Sequence, residues 1–245
     1  MRMLANLTWV ELKLFTREPF AVIFTFIFPL ITLIVITGSF GADDPAFGGA
    51  TPANYYLASY IGVVIGAVGM IALPVHVATY AERGILRRYE ASSIPVWSVL
   101  GAQMIVGFLM AVSGAIVLVI AGRLIFGARL PDEPFGAVVG FVIGTVSFLA
   151  LGLLIAMITR NARAAQAVGM MLFFPMFLLS GAGPPRSVMS APMKAVSDVL
   201  PLTFVVRALQ DPWLGKGQNT TSLLLLIAVM LISLVVTAWQ TKRRI

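Results

Sequence analysis

Cysteine is absent from the 245 residues, and His76 is the one histidine. The first absence excludes disulfides, thiolate metal sites and cysteine nucleophiles; the second excludes a multi-histidine metal site within one chain. Charge is scarce too. Charged residues are 11% of the chain and hydrophobic ones 59%, where a soluble domain runs near ~25% and ~45–50%. With a mean hydropathy of +0.97, a fold of this size cannot hide its apolar surface from water, so its solvent is the bilayer. The net charge of +7 sits in short basic clusters between apolar runs. That is the pattern of membrane flanks, not of a nucleic-acid surface.

Catalytic constellations are missing as well. A GxxxxGK[ST] phosphate loop is absent, and Gly215-Lys216-Gly217 does not replace it, so the chain cannot hydrolyse ATP alone. Ser113 and Ser180 each precede a glycine, but neither has the preceding glycine of a GxSG turn. His76 has no carboxylate in its own span to orient it and reads as a packing or cavity-lining residue. The spans hold no carboxylate pair of the kind that relays protons.

What is present is a set of six long uncharged runs: 20–38, 57–80, 97–122, 135–158, 164–181 and 222–239. Not one Asp, Glu, Lys or Arg falls inside any of them. They are too long and too continuously apolar for barrel strands, so the expected fold is an all-α polytopic membrane protein, a single transmembrane domain over 1–245. Eleven of the Lys and Arg residues lie on one side: Arg2, Lys13, Arg17, Arg83, Arg87, Arg88, Arg160, Arg163, Lys242, Arg243 and Arg244. Six lie on the other, and the first loop there carries Asp43 and Asp44 instead. The positive-inside rule therefore expects both termini in the cytoplasm and a multi-pass plasma-membrane protein. Trp97, Trp239, Tyr55 and Tyr56 fit an interfacial aromatic belt. The first run is expected to be retained, being longer than the h-region of a cleaved signal.

Three segments outside the runs have character. Residues 2–18 place Arg2, Asn6, Lys13 and Arg17 on one helical face and Met3, Leu7, Val10 and Leu14 on another, which predicts an interfacial helix over 1–19. The inner loop AERGILRRYEASSIPV mixes charge with the apolar pair Ile85 and Leu86; Gly84 can break the descending helix and Pro95 suits the start of the next. The outer segment 182–221 is cut by five prolines, and Val188, Met193, Val196 and Leu200 recur at near-helical spacing. Short helices resting on or dipping into the outer leaflet suit it better than a free loop. Gly136, Gly140 and Gly144 form a double GxxxG, and Gly62 and Gly66 a single one; packing within the chain is the simplest reading of both. Met157, Met170, Met171 and Met176 cluster in the fourth and fifth runs, as packing fillers or an adaptable surface.

These residues resemble the membrane subunit, or permease, of a type-2 ATP-binding-cassette exporter of the drug- and lipid-export kind. Three stretches carry the likeness. Glu82-Arg83-Gly84-Ile85-Leu86-Arg87-Arg88, running to Ile94-Pro95, is similar to the coupling segment (82–95) between the second and third spans. Phe174-Pro175-Met176-Phe177-Leu178-Leu179-Ser180-Gly181, then Pro184, resembles the signature at the end of the fifth span. Leu200-Pro201-Leu202-Thr203-Phe204-Val205-Val206-Arg207 resembles the outer re-entrant part before the sixth. The resemblance implies two separate ATPase subunits, which bind the ATP and magnesium while this chain binds no cofactor, and a second permease copy or similar subunit. It also implies alternating access driven from the coupling segment. The uncharged spans favour an apolar or amphipathic substrate, since no fixed charge offsets a desolvated ion. The residues alone leave open a non-transporting scaffold or assembly factor; a hydrolase centred on His76 has less to support it.

The orientation is directly testable. Cysteines placed at Ser92 and Thr241 should react with impermeant maleimides only from the cytosol, and one at Gly48 only from outside. Outside labelling of the Ser92 position would invert the topology.

Overall fold

A computed structural model describes residues 9, 19–41, 44–85, 88, 96–159 and 161–244. The expected interfacial helix at 2–18 lies outside these, as do Leu86, Arg87, residues 89–95 and Arg160. Among the described residues the regular structure is all helical: α1 (Pro19–Val22), α2 (Phe28–Gly38), α3 (Pro52–Ala67), α4 (Leu73–Glu82), α5 (Val96–Phe126), α6 (Pro134–Thr159), α7 (Ala162–Leu179), α8 (Ala191–Ser197), α9 (Pro201–Trp213) and α10 (Thr220–Arg244). Single π-helical turns, Ile23–Ile27 and Val68–Ala72, join α1 to α2 and α3 to α4. Among the described residues five helices are long and apolar enough to cross a membrane, and Ile23–Gly38 is a shorter apolar helix. This is a multi-pass helical membrane protein.

Local chemistry sets the helix ends. Thr51 caps α3, its hydroxyl accepting from the Asn54 amide at 3.4 Å, and Pro52 occupies the first turn, where no amide is needed. Gly84 (φ +67°) follows the end of α4 and Gly127 (φ +64°) the end of α5, the left-handed region that glycine enters without cost. Asn161 caps α7, its Oδ1 accepting from the Arg163 and Ala164 amides at 2.9 and 3.1 Å.

Both π turns have one cause. Proline at 29 and at 74 brings no N–H to the turn before it, and its ring crowds the carbonyl four residues back. The helix widens instead: Phe28 N–H donates to Ile23 C=O, and Leu73 N–H to Val68 C=O, five residues back in each case. The two π turns touch each other inside the bundle.

The second span is the axis of the packing. In its most apolar stretch 94% of residues are buried within the protein, against 22% for α7. So α3 and α4 are enclosed by protein, while the other spans keep lipid-facing sides. Glycines permit this closeness. The Phe148 carbonyl oxygen would stand 2.6 Å from a Cβ at Gly69, and Cβ atoms at Gly152 and Gly169 would run into the carbonyl oxygens of Gly69 and Met70. The widened turn of the second span thus rests its carbonyls on bare Cα–H groups of α6 and α7, a weak but recurrent contact.

Gly152→Ala should therefore lower the stability of the detergent-solubilised protein by about 1–3 kcal/mol, the usual cost of overpacking. Gly101→Ala, where a Cβ meets nothing within 4 Å, should stay within ~0.5 kcal/mol of the parent. Thermal melts of the two variants check both.

Candidate functional site

The double GxxxG of α6 and the GxxxG of α3 face one partner, the short helix α9. Gly62 lies against Val206, Gly66 against Leu202, Gly144 against Val205 and Gly136 against Pro212. A Cβ at Gly140 would strike the Ala208 carbonyl oxygen. Packing within the chain, as the sequence suggested, is what these motifs serve. Pro201 starts α9 in its first turn, and all its residues but Pro201, Arg207 and Asp211 are buried. A helix of thirteen residues extends only about 20 Å, too short to cross the ~30 Å hydrocarbon layer. It is instead slotted between the ends of α3 and α6.

Polar groups pin it there. Gln210 Nε2 donates to the Ser59 hydroxyl and to the Tyr55 carbonyl at 3.4 Å, bridging α9 to α3. Ser59 itself donates back to the Tyr55 carbonyl at 2.7 Å. The Trp213 indole donates to the Arg129 carbonyl at 3.2 Å, and the Asp132 and Glu133 amides donate to the carbonyls of Trp213 and Pro212 at 3.3 and 3.0 Å.

The signature stretch builds the turn that leads into this helix. Pro175 lies inside α7. The Ser180 hydroxyl donates to the Phe177 carbonyl at 3.1 Å and accepts from the Ala182 amide at 3.3 Å, so it closes the end of α7 in place of a backbone partner. Gly181 is left-handed at φ +94°. Tyr56 Oη donates to the Gly183 carbonyl, just before Pro184, at 3.1 Å, and Tyr55 Oη accepts from the Arg186 amide at 3.4 Å. For Tyr56 the expected belt position is replaced by an internal cluster, while Tyr55 is half-buried. Tyr56 is wholly buried, its ring 5.9 Å from Phe40, 5.5 Å from Phe47 and 6.1 Å from Tyr60. Burying that much aromatic surface outweighs what a headgroup-level position offers, because the phenol keeps a carbonyl partner inside.

At the start of α9 three charges meet. Asp198 is bound by Arg186 from before α8, at 2.7 Å, and by Arg207 from α9. The Ser197 hydroxyl, 3.3 Å from that of Thr203, also accepts from Arg186 at 3.4 Å. Arg207 was legible as a site residue; Asp198 was not, because nothing in its own neighbourhood marks it as the acceptor of two guanidiniums. Hydrogen bonds from Arg186 and then Arg207 hold its carboxyl at about 2, below the ordinary 3.8.

At the opposite end of the bundle, the coupling stretch begins at the foot of α4. Glu82 is exposed, and its Oε2 accepts from the Ala162 amide at 3.1 Å. With Asn161 it satisfies the first three amides of α7, a favourable place for negative charge. Arg83 is exposed, Gly84 and Ile85 are half-buried, and Arg88 is exposed with its amide on the Gly84 carbonyl at 3.2 Å. His76 is buried with its ring 5.0 Å from Tyr80.

Six apolar runs, an enclosed second span, a short helix slotted before the last span and a charged loop tied to α7 define a polytopic helical membrane protein. Residues 3–212 match the ABC-2 type transporter family, and the chain belongs to that family. It is 25% identical over 202 residues to the "Probable multidrug ABC transporter permease YbhS" of Escherichia coli strain K12, and equally to that of Escherichia coli O157:H7. The match covers 80% of this chain and 53% of each relative, so the chain spans about half the length of these curated proteins.

The charge cluster gives a pH test. Because the folded value of Asp198 is depressed, its contribution to stability is complete above pH 3.8 and is lost as the pH falls through about 2. Asp198→Asn should remove that acid-dependent part and lower the melting point modestly at neutral pH, since partly exposed pairs contribute about 0–1 kcal/mol. Melting curves of parent and variant between pH 2 and 7 measure it.

Proposed function

We propose that this chain is the membrane-spanning permease subunit of an ATP-driven exporter in the plasma membrane, with both termini cytoplasmic. It moves an apolar or amphipathic molecule: a drug, a lipid or a lipid-linked compound. The observation that carries this reading is the family match over residues 3–212, supported by the name of the Escherichia coli relatives. Two ATP-binding-cassette ATPase subunits supply the energy, with ATP and magnesium held on them. A second copy, or a similar subunit, completes the pathway. Exposed apolar side chains on the first and fifth spans, Ile23, Ile27 and Ile31 with Met171 and Leu178, form a face that either lipid or this second subunit can cover. Met157, Met170 and Met176 pack against the core.

Residues 82–95 receive the work of the ATPase. Ile85 and Leu86 anchor the contact, and Arg87 and Arg88 guide association at its rim. Glu82 passes the movement on: its bond to the Ala162 amide makes the loop and the start of α7 one mechanical unit. From α7 the chain continues through Pro175, Ser180, Gly181 and Pro184 to α9 with Pro201 and Arg207, so a displaced α7 shifts the re-entrant helix.

Three variants, co-purified with the cognate ATPase and assayed in proteoliposomes against a drug and lipid panel, separate the roles. Ile85→Ala with Leu86→Ala should weaken ATPase binding at least tenfold and abolish transport. Arg87→Gln with Arg88→Gln should make assembly salt-sensitive with a milder loss. Glu82→Ala should keep ATPase binding yet uncouple it, with hydrolysis continuing while transport drops several-fold. Normal transport by the Ile85/Leu86 pair at parental affinity would move the coupling role to the short loop at Arg160–Arg163.

A further inference from the structure

A groove of about 420 Å³ opens sideways between α5, α6 and the C-terminal half of α9. Its lining includes Ile61 from α3, Ile116 and Val119 from α5, Phe141 from α6, and Leu209 and Trp213 from α9. Its lining contains no hydroxyl, amide or charged side chain, and the single polar atom of Trp213 is already given to the Arg129 carbonyl. Water would find no partner there, so the groove is filled by hydrocarbon.

The rim is of the opposite kind. Val112, Ile116 and Val119 line the groove from α5, and Arg123 continues their spacing of four, three and four residues on the same helical face, about 6 Å beyond Val119 along the axis. Leu130 and Pro131 line the groove from the connecting loop and Pro134 from the start of α6, and Arg129, Asp132 and Glu133 belong to the same loop. Arg129 is fixed by its backbone: its amide donates to Asn54 Oδ1 at 2.8 Å. Both arginines are exposed, and among the described residues neither enters an ion pair. Two arginines and two acidic residues thus follow directly on the residues that line the apolar slot, with the Asp132 carboxylate on the side of Gly215.

We propose that this groove binds one acyl chain of a zwitterionic phospholipid from the leaflet at that end of the helices. Arg123 and Arg129 hold its phosphate, and Asp132 and Glu133 face its ammonium group. A purely anionic headgroup would meet the two carboxylates; an uncharged glyceride would leave both guanidiniums without a partner. This site goes beyond the transport reading and stands independently of it.

Trp213 is the reporter. It is 6% exposed, whereas Trp9, Trp97 and Trp239 are about half exposed or more, so the Trp9→Phe, Trp97→Phe, Trp239→Phe background isolates it. In vesicles containing phosphatidylethanolamine brominated along its acyl chains, Trp213 emission should be quenched several-fold more strongly than by brominated diacylglycerol at equal mole fraction. Ala115→Phe with Ala137→Phe fills the groove and should remove most of the quenching. Arg123→Gln with Arg129→Gln should abolish the preference for the phospholipid. Equal quenching by the two lipids in the parent, or quenching unchanged when the groove is filled, overturns the proposal. Should the filled variant fail to insert, native mass spectrometry of the parent decides. One phosphatidylethanolamine retained per chain and lost in the double arginine variant supports the site; no retained lipid, or phosphatidylglycerol retained in preference, overturns it.

Discussion

A backbone surrounded by lipid has no water to complete its hydrogen bonds, so any interruption of a helix at membrane depth must be covered by protein. That constraint organises this molecule. The two π turns and the short helix α9 are such interruptions, and all of them lie against the second span or within it. Hence the second span is the enclosed one, and hence the glycines of α3, α6 and α7 stand where they do. At Gly140, Gly152 and Gly169 a neighbouring carbonyl comes to a distance that a methyl group would forbid, and at Gly62, Gly66 and Gly144 a side chain packs closely. Van der Waals contact is the main attraction between helices in lipid, and it grows only when backbones come this close.

The two polar junctions follow from the same enclosure. Glu82 binds the start of α7 at one end, while Tyr55, Tyr56, Ser59 and Gln210 fasten the end of α7 and the body of α9 to α3 at the other. The second span therefore touches both ends of the unit that α7 and α9 form. The loop after α4 is thus joined to α9 in two ways, through α7 and along the second span itself. Charged groups are confined to the ends of the spans, where desolvation costs least. Away from the ends apolar packing dominates, with hydroxyls bonded within their own helix, such as Thr145 to the Phe141 carbonyl at 2.6 Å, and a few buried polar side chains, among them His76, Gln103 and Ser147, whose hydroxyl also donates to the Leu226 carbonyl of α10 at 2.9 Å.

Legibility in the sequence divides along physical lines. The spans were readable because lipid imposes a composition over some twenty consecutive residues, and the helix α9 because prolines at its edges and an apolar run mark its extent. Glycine spacing pointed to close approach, yet the partner of those glycines could not be read, since GxxxG states a shape and not what fills it. Tyr56 misled because a tyrosine beside a membrane edge has the same sequence signature whether its ring faces headgroups or the core. Asp198 and Gln210 were silent. Their partners lie across loops or on another span, at separations up to 155 residues, and a single polar residue carries no periodicity.

The paired π turns are the last step in this logic. Proline interrupts both the first and second spans, at Pro29 and Pro74, and in each the residue before it makes the five-back bond. A helix bends most cheaply where its ladder is already broken. Here the two broken ladders are in contact, so a bend in one span meets the yielding turn of the other instead of a rigid helix. On the far side, Met70 and Gly69 rest on Gly169 of α7 and Gly152 of α6 through contacts that have no directional hydrogen bond to break. The third and fourth spans, α5 and α6, run unbroken for 31 and 26 residues and offer no such place. Relative movement within this bundle is therefore cheapest between the first and second spans on one side and the lipid-facing shell on the other. The loop at Glu82 and the helix α9 sit at the two ends of that seam.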